Sequence, residues 1–162
     1  MVWRGDVSIK PTELPEALKR KATKHREMAN KRHYGASIST RPEIACLRLE
    51  EGHWEGDTVV GKRAGQESVV FSLLEKNAKT YLAFRVPSKT SEAVMGPTAA
   101  LHDEYGENFS RIFKTITVDN GSEFADFAQV EQWGTKAFFA HPYTSWERPQ
   151  NERRNGLFCA FV

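Results

Sequence analysis

Between His53 and Val86 the chain follows a two-residue rhythm. His53-Trp54-Glu55-Gly56-Asp57-Thr58-Val59-Val60-Gly61 puts Trp54, Gly56, Thr58 and Val60 on one side and His53, Glu55, Asp57 and Val59 on the other, as a strand does. Ser68 to Leu74 and Tyr81 to Val86 read as two further strands, the last ended by Pro87. Lys62-Arg63-Ala64-Gly65-Gln66 is a loop and Asn77-Ala78-Lys79 a tight turn, and connections this short predict an antiparallel meander. The rhythm then changes. Thr90 or Ser91 can cap a helix whose apolar positions Ala93, Val94, Ala99, Ala100 and Leu101 run up to Tyr105-Gly106, with Gly96-Pro97 expected to kink or split it. Thr115 to Val118 alternates again as a fourth strand. Asp119 takes its last position, Asn120-Gly121 makes a turn, and Ser122 can cap a helix reaching about Trp133. Lys136 to Ala140 is a fifth strand, closed by His141-Pro142, and Pro149 suits the first turn of a last helix. The order βββαβαβα predicts an α/β fold, a mixed sheet of that meander plus two further strands, flanked by helices.

Composition changes this picture mainly at the N-terminus. The 162 residues, 40% hydrophobic and 11% aromatic, suit one domain with a packed core and exclude wholesale disorder. Residues 1–35 carry nine Lys or Arg against four acids, a net +5 that leaves −3 for the rest of a chain whose total is +2. Residues 1–42 therefore read as a basic arm, with a short helix opening near Thr12 or Glu13 and running through Arg20, and 43–162 as the folded core. Such an arm suits a polyanion, because neutralising phosphates releases counterions whatever the base sequence. Cys46 and Cys159 show no metal spacing and are too few for a disulfide scaffold. No signal peptide or membrane-length apolar run is seen, so a cytoplasmic chain without membrane contact is expected.

Three acids fall at matching places in this layout. Asp57 lies inside the first strand, Asp119 ends the fourth, and Glu152 sits in the first turn of the last helix. If the first and fourth strands are neighbours, their carboxylates meet at strand ends, where open α/β sheets bind ligands. Clustered anions repel one another unless a cation joins them, and hard divalent cations want oxygen ligands. Asp119 alone could equally serve the turn. Glu147 and Glu123 are rival acids: Glu123 follows the turn closely and suits a helix N-terminus, and Glu147 can pair with Arg148. Glu55 shares the face of Asp57, one pleat away. His53 and His141 suit backbone or DNA orientation better than a hard metal. Trp54, Trp133 and Trp146 read as core. Lys62, Arg63, Arg148, Arg153 and Arg154 can touch phosphate, although a solvated charged face accounts for the same residues.

Three stretches carry a resemblance. Gly52 to Gly61, Thr117 to Phe124, and Phe139 to Arg148 running on through Asn151-Glu152 to Asn155-Gly156-Leu157 resemble, in this order, the DDE transposase catalytic core of the retroviral-integrase type, family thirty of the bacterial insertion sequences. The thirty-three positions from Asp119 to Glu152 suit that family's spacing. The resemblance implies an RNase H-like fold, with Asp57, Asp119 and Glu152 as the catalytic, metal-binding triad. It also implies Mg²⁺ or Mn²⁺ as cofactor, two ions in all, and DNA as partner. The activity implied is strand cleavage at insertion-sequence ends followed by strand transfer, performed by a homo-multimer on paired ends.

The chain departs from the pattern in places. Pro149-Gln150 stands where the family has Gly-Thr, Cys159 replaces a basic residue, and the last helix stops soon after Glu152, so the core is expected to be C-terminally truncated. An alternative follows: an inactive remnant that only binds DNA or a full-length transposase. An unrelated RNase H-like nuclease is a third reading, against which the Trp54-Glu55-Gly56-Asp57 and Ser145-Trp146-Glu147-Arg148 words count.

Overall fold

The computed structural model describes residues 34–60 and 69–141, all inside the compact unit Lys31–Val162. The helix expected near Thr12, the loop Lys62–Gln66 and the last helix lie outside the described residues. Within them the two-residue rhythm becomes a sheet. Strand β2 (His53–Val60) pairs antiparallel with β3 (Val69–Glu75), and β3 pairs antiparallel with β4 (Tyr81–Val86). The expected meander is thus present, its second turn tied by Glu75, whose carboxylate accepts from the amides of Gly52 and Ala78.

On its other edge β2 pairs parallel with β5 (Thr115–Val118), which pairs parallel with β6 (Lys136–Phe139). A short strand β1 (Ala36–Ser37) adds itself parallel to β6, giving the order β1-β6-β5-β2-β3-β4. That edge strand comes from the stretch read as basic arm. His141 ties it down, its Nε2 lying 3.1 Å from Ser37 Oγ and 3.3 Å from Ser39 Oγ.

Between β4 and β5 runs helix α2 (Ser91–Tyr105), capped by Thr90, whose hydroxyl accepts from the Ala93 amide at 3.3 Å. Gly96-Pro97 does not split it in two: Pro97 stands inside one helix. The ring removes one amide donor, and the next residue, Thr98, donates from Oγ1 to the Val94 carbonyl at 3.1 Å. After α2 come the 3-10 turn Gly106–Asn108 and the short helix α3 (Phe109–Ile112).

The expected helix from Ser122 to Trp133 forms differently. It is two 3-10 segments, Ser122–Phe124 and Phe127–Trp133, and Gly121 rather than Ser122 occupies the capping position, with no side-chain cap. The reason lies in the spacing. Phe124, Phe127 and Val130 are fully buried and Trp133 packs on the same core, so the apolar positions recur every three residues. A period of three aligns one face of a 3-10 helix, whereas an α-helix would rotate these side chains away from the sheet.

The core lies on one face of the sheet. Trp54, Phe71, Leu73, Ile116, Val118 and Phe139 pack there against Val94 and Leu101 of α2 and against Phe124 and Phe127. Gly56 belongs to this face because a Cβ on it would sit 3.0 Å from Val118 Cγ1. The other face of β2 and β5 is polar and yet buried: His53, Glu55, Thr115 and Thr117 line it. Helix α1 (Glu43–Leu47) buries Ala45 and leaves Ile44 and Leu47 about half exposed.

Candidate active site

The polar face leads to the two aspartates. β2 and β5 run parallel in the register His53–Thr115, Trp54–Ile116, Glu55–Thr117. Two residues further along the same register stand Asp57, still inside β2, and Asp119, immediately after β5. Neighbouring strands lie about 4.8 Å apart, so both acids occupy adjacent positions at one end of the parallel pair. Each carboxylate is braced by the next residue: Asp57 Oδ1 accepts from the Thr58 amide at 2.9 Å, and Asp119 Oδ1 from the Asn120 amide at 2.7 Å. Both aspartates are partly exposed, as a group that meets a substrate must be.

Behind them the polar face is filled by mutual pairing. Glu55, one pleat behind Asp57, is buried and faces the equally buried Lys76, with Lys76 Nζ 3.5 Å from Glu55 Oε1. Burial pushes the Lys76 ammonium below its ordinary pKa, and the attraction of Glu55 opposes that shift. Glu55 thus has Lys76 as its counter-ion. Arg41 comes in from the segment before α1, its Nη1 donating to Thr117 Oγ1 at 3.1 Å. His53 Nδ1 and Thr115 Oγ1 share a hydrogen bond of 2.9 Å, while His53 Nε2 lies 3.4 Å from Glu50 Oε2. Burial holds the His53 imidazole below its usual pKa, more strongly than Glu50 can raise it. The two ring nitrogens thus face Thr115 and Glu50.

Glu123 stands in the first turn of the 3-10 segment Ser122–Phe124, and its side chain does more than was expected of it there. Its carboxylate is buried against the sheet, with Thr58 Oγ1 donating to Oε1 at 3.2 Å and Lys89 Nζ 2.9 Å from the same oxygen. The clue available in the sequence was Gly121, which leaves space for a side chain folding back two residues later.

Of the expected tryptophans, Trp54 is buried, packs tilted against Phe113 with centroids 4.7 Å apart, and donates from Nε1 to the Ile112 carbonyl at 2.8 Å. Trp133 stacks on His102 at 4.6 Å. Glu147, Glu152, Trp146, Lys62, Arg63, Arg148, Arg153 and Arg154 lie outside the described residues. Among the described residues no three His, Cys, Asp or Glu side chains converge as a metal site. The donors at matched positions of the two strands, Asp57 and Asp119, are carboxylate oxygens, and oxygen donors of this kind fit a hard divalent cation.

A parallel pair ending in two carboxylates, beside an antiparallel meander, is the arrangement of an RNase H-like integrase catalytic core. The described fold matches solved structures of that class: the simian T-cell lymphotropic virus intasome (TM-score 0.56, 20% identity, 67% of this chain and 38% of that one). It also matches the HTLV-2 integrase catalytic core solved in complex with magnesium in a trimeric form (TM-score 0.50, 18% identity, 67% of each chain).

By sequence the chain is similar to transposases of insertion sequences. It is 31% identical over 161 residues to the probable transposase of element IS1161 from Streptococcus salivarius, covering 99% of this chain and 45% of that protein. It is 34% identical over 128 residues to the transposase of IS1086 from Cupriavidus metallidurans, covering 78% and 36%. To a transposase of IS30 from Escherichia coli K12 it is 32% identical over 124 residues, covering 76% and 31%. The chain thus spans less than half the length of these curated relatives. No family model matches it.

Proposed function

We propose that this chain is the catalytic core of a transposase that cuts DNA at the ends of an insertion sequence and joins the freed 3′ ends to target DNA. The observation that supports the reading is the parallel register of β2 and β5, in which Asp57, inside β2, and Asp119, directly after β5, each stand two residues beyond the paired Glu55 and Thr117. Glu152, thirty-three positions after Asp119, is the third acid. The three carboxylates would hold two ions of Mg²⁺ or Mn²⁺. Bound there, the ions would supply the Lewis acidity that activates an attacking water or 3′-hydroxyl and stabilises the leaving oxygen of an in-line displacement.

The chain itself contributes position and charge. Asp57 lies in β2 and Asp119 directly follows β5, which cannot slip along β2 without moving Ile116 and Val118 out of the core. The Glu55–Lys76 and Arg41–Thr117 contacts fill the space behind them, so the acids rest on a packed polar face. Lys62, Arg63, Arg148, Arg153 and Arg154, together with the basic residues of 1–35, would hold the DNA backbone through phosphate contacts that weaken with salt. Action on two ends calls for a homo-multimer, working in the cytoplasm. Among the described residues no helix is long and apolar enough to cross a membrane.

The test is a nicking and strand-transfer assay on duplexes carrying the element's terminal repeats. Cleavage is expected with Mg²⁺ or Mn²⁺, is expected to stop on chelation, and is lost in Asp57→Asn and Asp119→Asn proteins that keep their fold. A folded wild-type chain that binds the duplex and never cuts it would sink the enzyme reading in favour of a DNA-binding remnant.

A further inference from the structure

Glu123 joins three segments that the chain keeps far apart in sequence. It stands four residues after Asp119, on the turn that carries that aspartate out of β5. Its Oε1 accepts the hydroxyl of Thr58, the residue directly after Asp57, at 3.2 Å. The same oxygen lies 2.9 Å from Nζ of Lys89, on the connection between β4 and α2. The carboxylate is 8% exposed, whereas the Lys89 side chain is 47% exposed, so the buried partner is the one holding the position. Gly121 completes the arrangement: a Cβ there would lie 2.4 Å from Glu123 Oε2, and any side chain would evict the carboxylate from Thr58. Phe124, the next residue, is fully buried and fixes the turn from the other side.

We infer that Glu123 is a positioning residue for the acid pair, a clamp that ties the Asp119 turn to the Asp57 strand and so sets their separation. This rests on the reading of Asp57 and Asp119 as metal-holding acids. Unclamped, the turn would lose its polar tie to β2, and Asp119 would keep its bond to Asn120 but not its fixed distance from Asp57. Glu123 itself is occupied by Thr58 and Lys89, which separates it from the acids that face substrate.

The experiment compares wild type with Thr58→Val, Glu123→Ala, their double variant and Glu123→Gln. Two quantities are read: Mn²⁺ affinity by electron paramagnetic resonance, and amide hydrogen exchange across residues 119–124. Thr58→Val and Glu123→Ala are each expected to weaken Mn²⁺ binding about tenfold to a hundredfold, the range for groups that orient metal ligands. Both should speed exchange in the turn. The double variant should be no weaker than Glu123→Ala alone, because Glu123→Ala already removes the Thr58 contact. Glu123→Gln, which still accepts from Thr58, should stay closer to wild type than Glu123→Ala.

A different pattern would overturn the inference. If Glu123→Gln is as weak as Glu123→Ala while Thr58→Val is unchanged, Glu123 is itself a ligand and the clamp is wrong. Unchanged affinity and exchange in every variant likewise reject it. If wild type binds no Mn²⁺, the metal reading of the acids fails, and the clamp stands or falls on the exchange rates alone. Should Glu123→Ala fail to fold, Thr58→Val, which exchanges a hydroxyl for a methyl, still decides.

Discussion

Glu55 and Asp57 are two positions apart on one face of β2, and their surroundings separate their fates. Glu55 lies deep, with one oxygen toward Lys76 and its Oε2 buried without a hydrogen bond. Asp57 lies where the strand reaches solvent. A buried pair of this kind contributes little net stability, but breaking it leaves a charge stranded. Lys76→Met is therefore expected to destabilise the domain by about 3–5 kcal/mol in urea unfolding. The double variant Glu55→Leu/Lys76→Met should recover most of that loss, and a double variant as unstable as the single would show that the pair is not the cause. At this scale the sequence was legible for type and face. It was silent on pairing, because Lys76 lies in the turn after β3 and reaches Glu55 only once the meander has formed.

Among the elements, the segment after Asp119 is the instructive one. Its turn residues, Asn120 and Gly121, are where turn chemistry puts them, and the helical character after them is real. Its type differs from the helix expected after Ser122, because the apolar positions recur every three residues. Phe124, Phe127, Val130 and Trp133 are the signal that could have shown it. The aromatics also explain why a short turn holds still: Phe124 and Phe127 meet edge to face at 5.7 Å, and Phe71 of β3 lies 6.3 Å from each. Phe124→Ala is expected to cost about 3–5 kcal/mol in urea unfolding. It should also loosen the Asp119 turn, visible as faster hydrogen exchange there than in β3. A loss well below 1 kcal/mol would contradict the packing described.

For the molecule as a whole, the buried polar face makes stability depend on pH. His53 binds its proton less readily when folded, because burial disfavours the imidazolium. Between its folded pKa and the ordinary value of 6.5 the unfolded chain holds more protons, so stability must fall as pH drops through about 6.5. Below the folded pKa that loss is complete. Glu50, held low chiefly by its hydrogen bond from Lys114, adds its own loss only further down, as pH falls through its ordinary 4.5. His53→Asn, which can still bond Thr115, should flatten the upper part of the profile and leave the lower part. A wild-type midpoint that does not move between pH 7.5 and about 5.5 would rule this out.

By itself the sequence determined the alternation of β2 to β5, the acids at strand ends, and the family that the three matching stretches resemble. These follow from local chemistry: side chains alternate across a strand, and Asp-Asn-Gly turns wherever it stands. Only the tertiary structure decided that β5 lies between β2 and β6, that residues 36–37 join the sheet edge, that Glu55 faces Lys76, and that Glu123 folds back onto Thr58. Each of these brings together residues dozens of positions apart. Such contacts form because the core buries Phe71, Ile116, Val118 and Phe124 together, and no local pattern encodes which distant polar groups then meet.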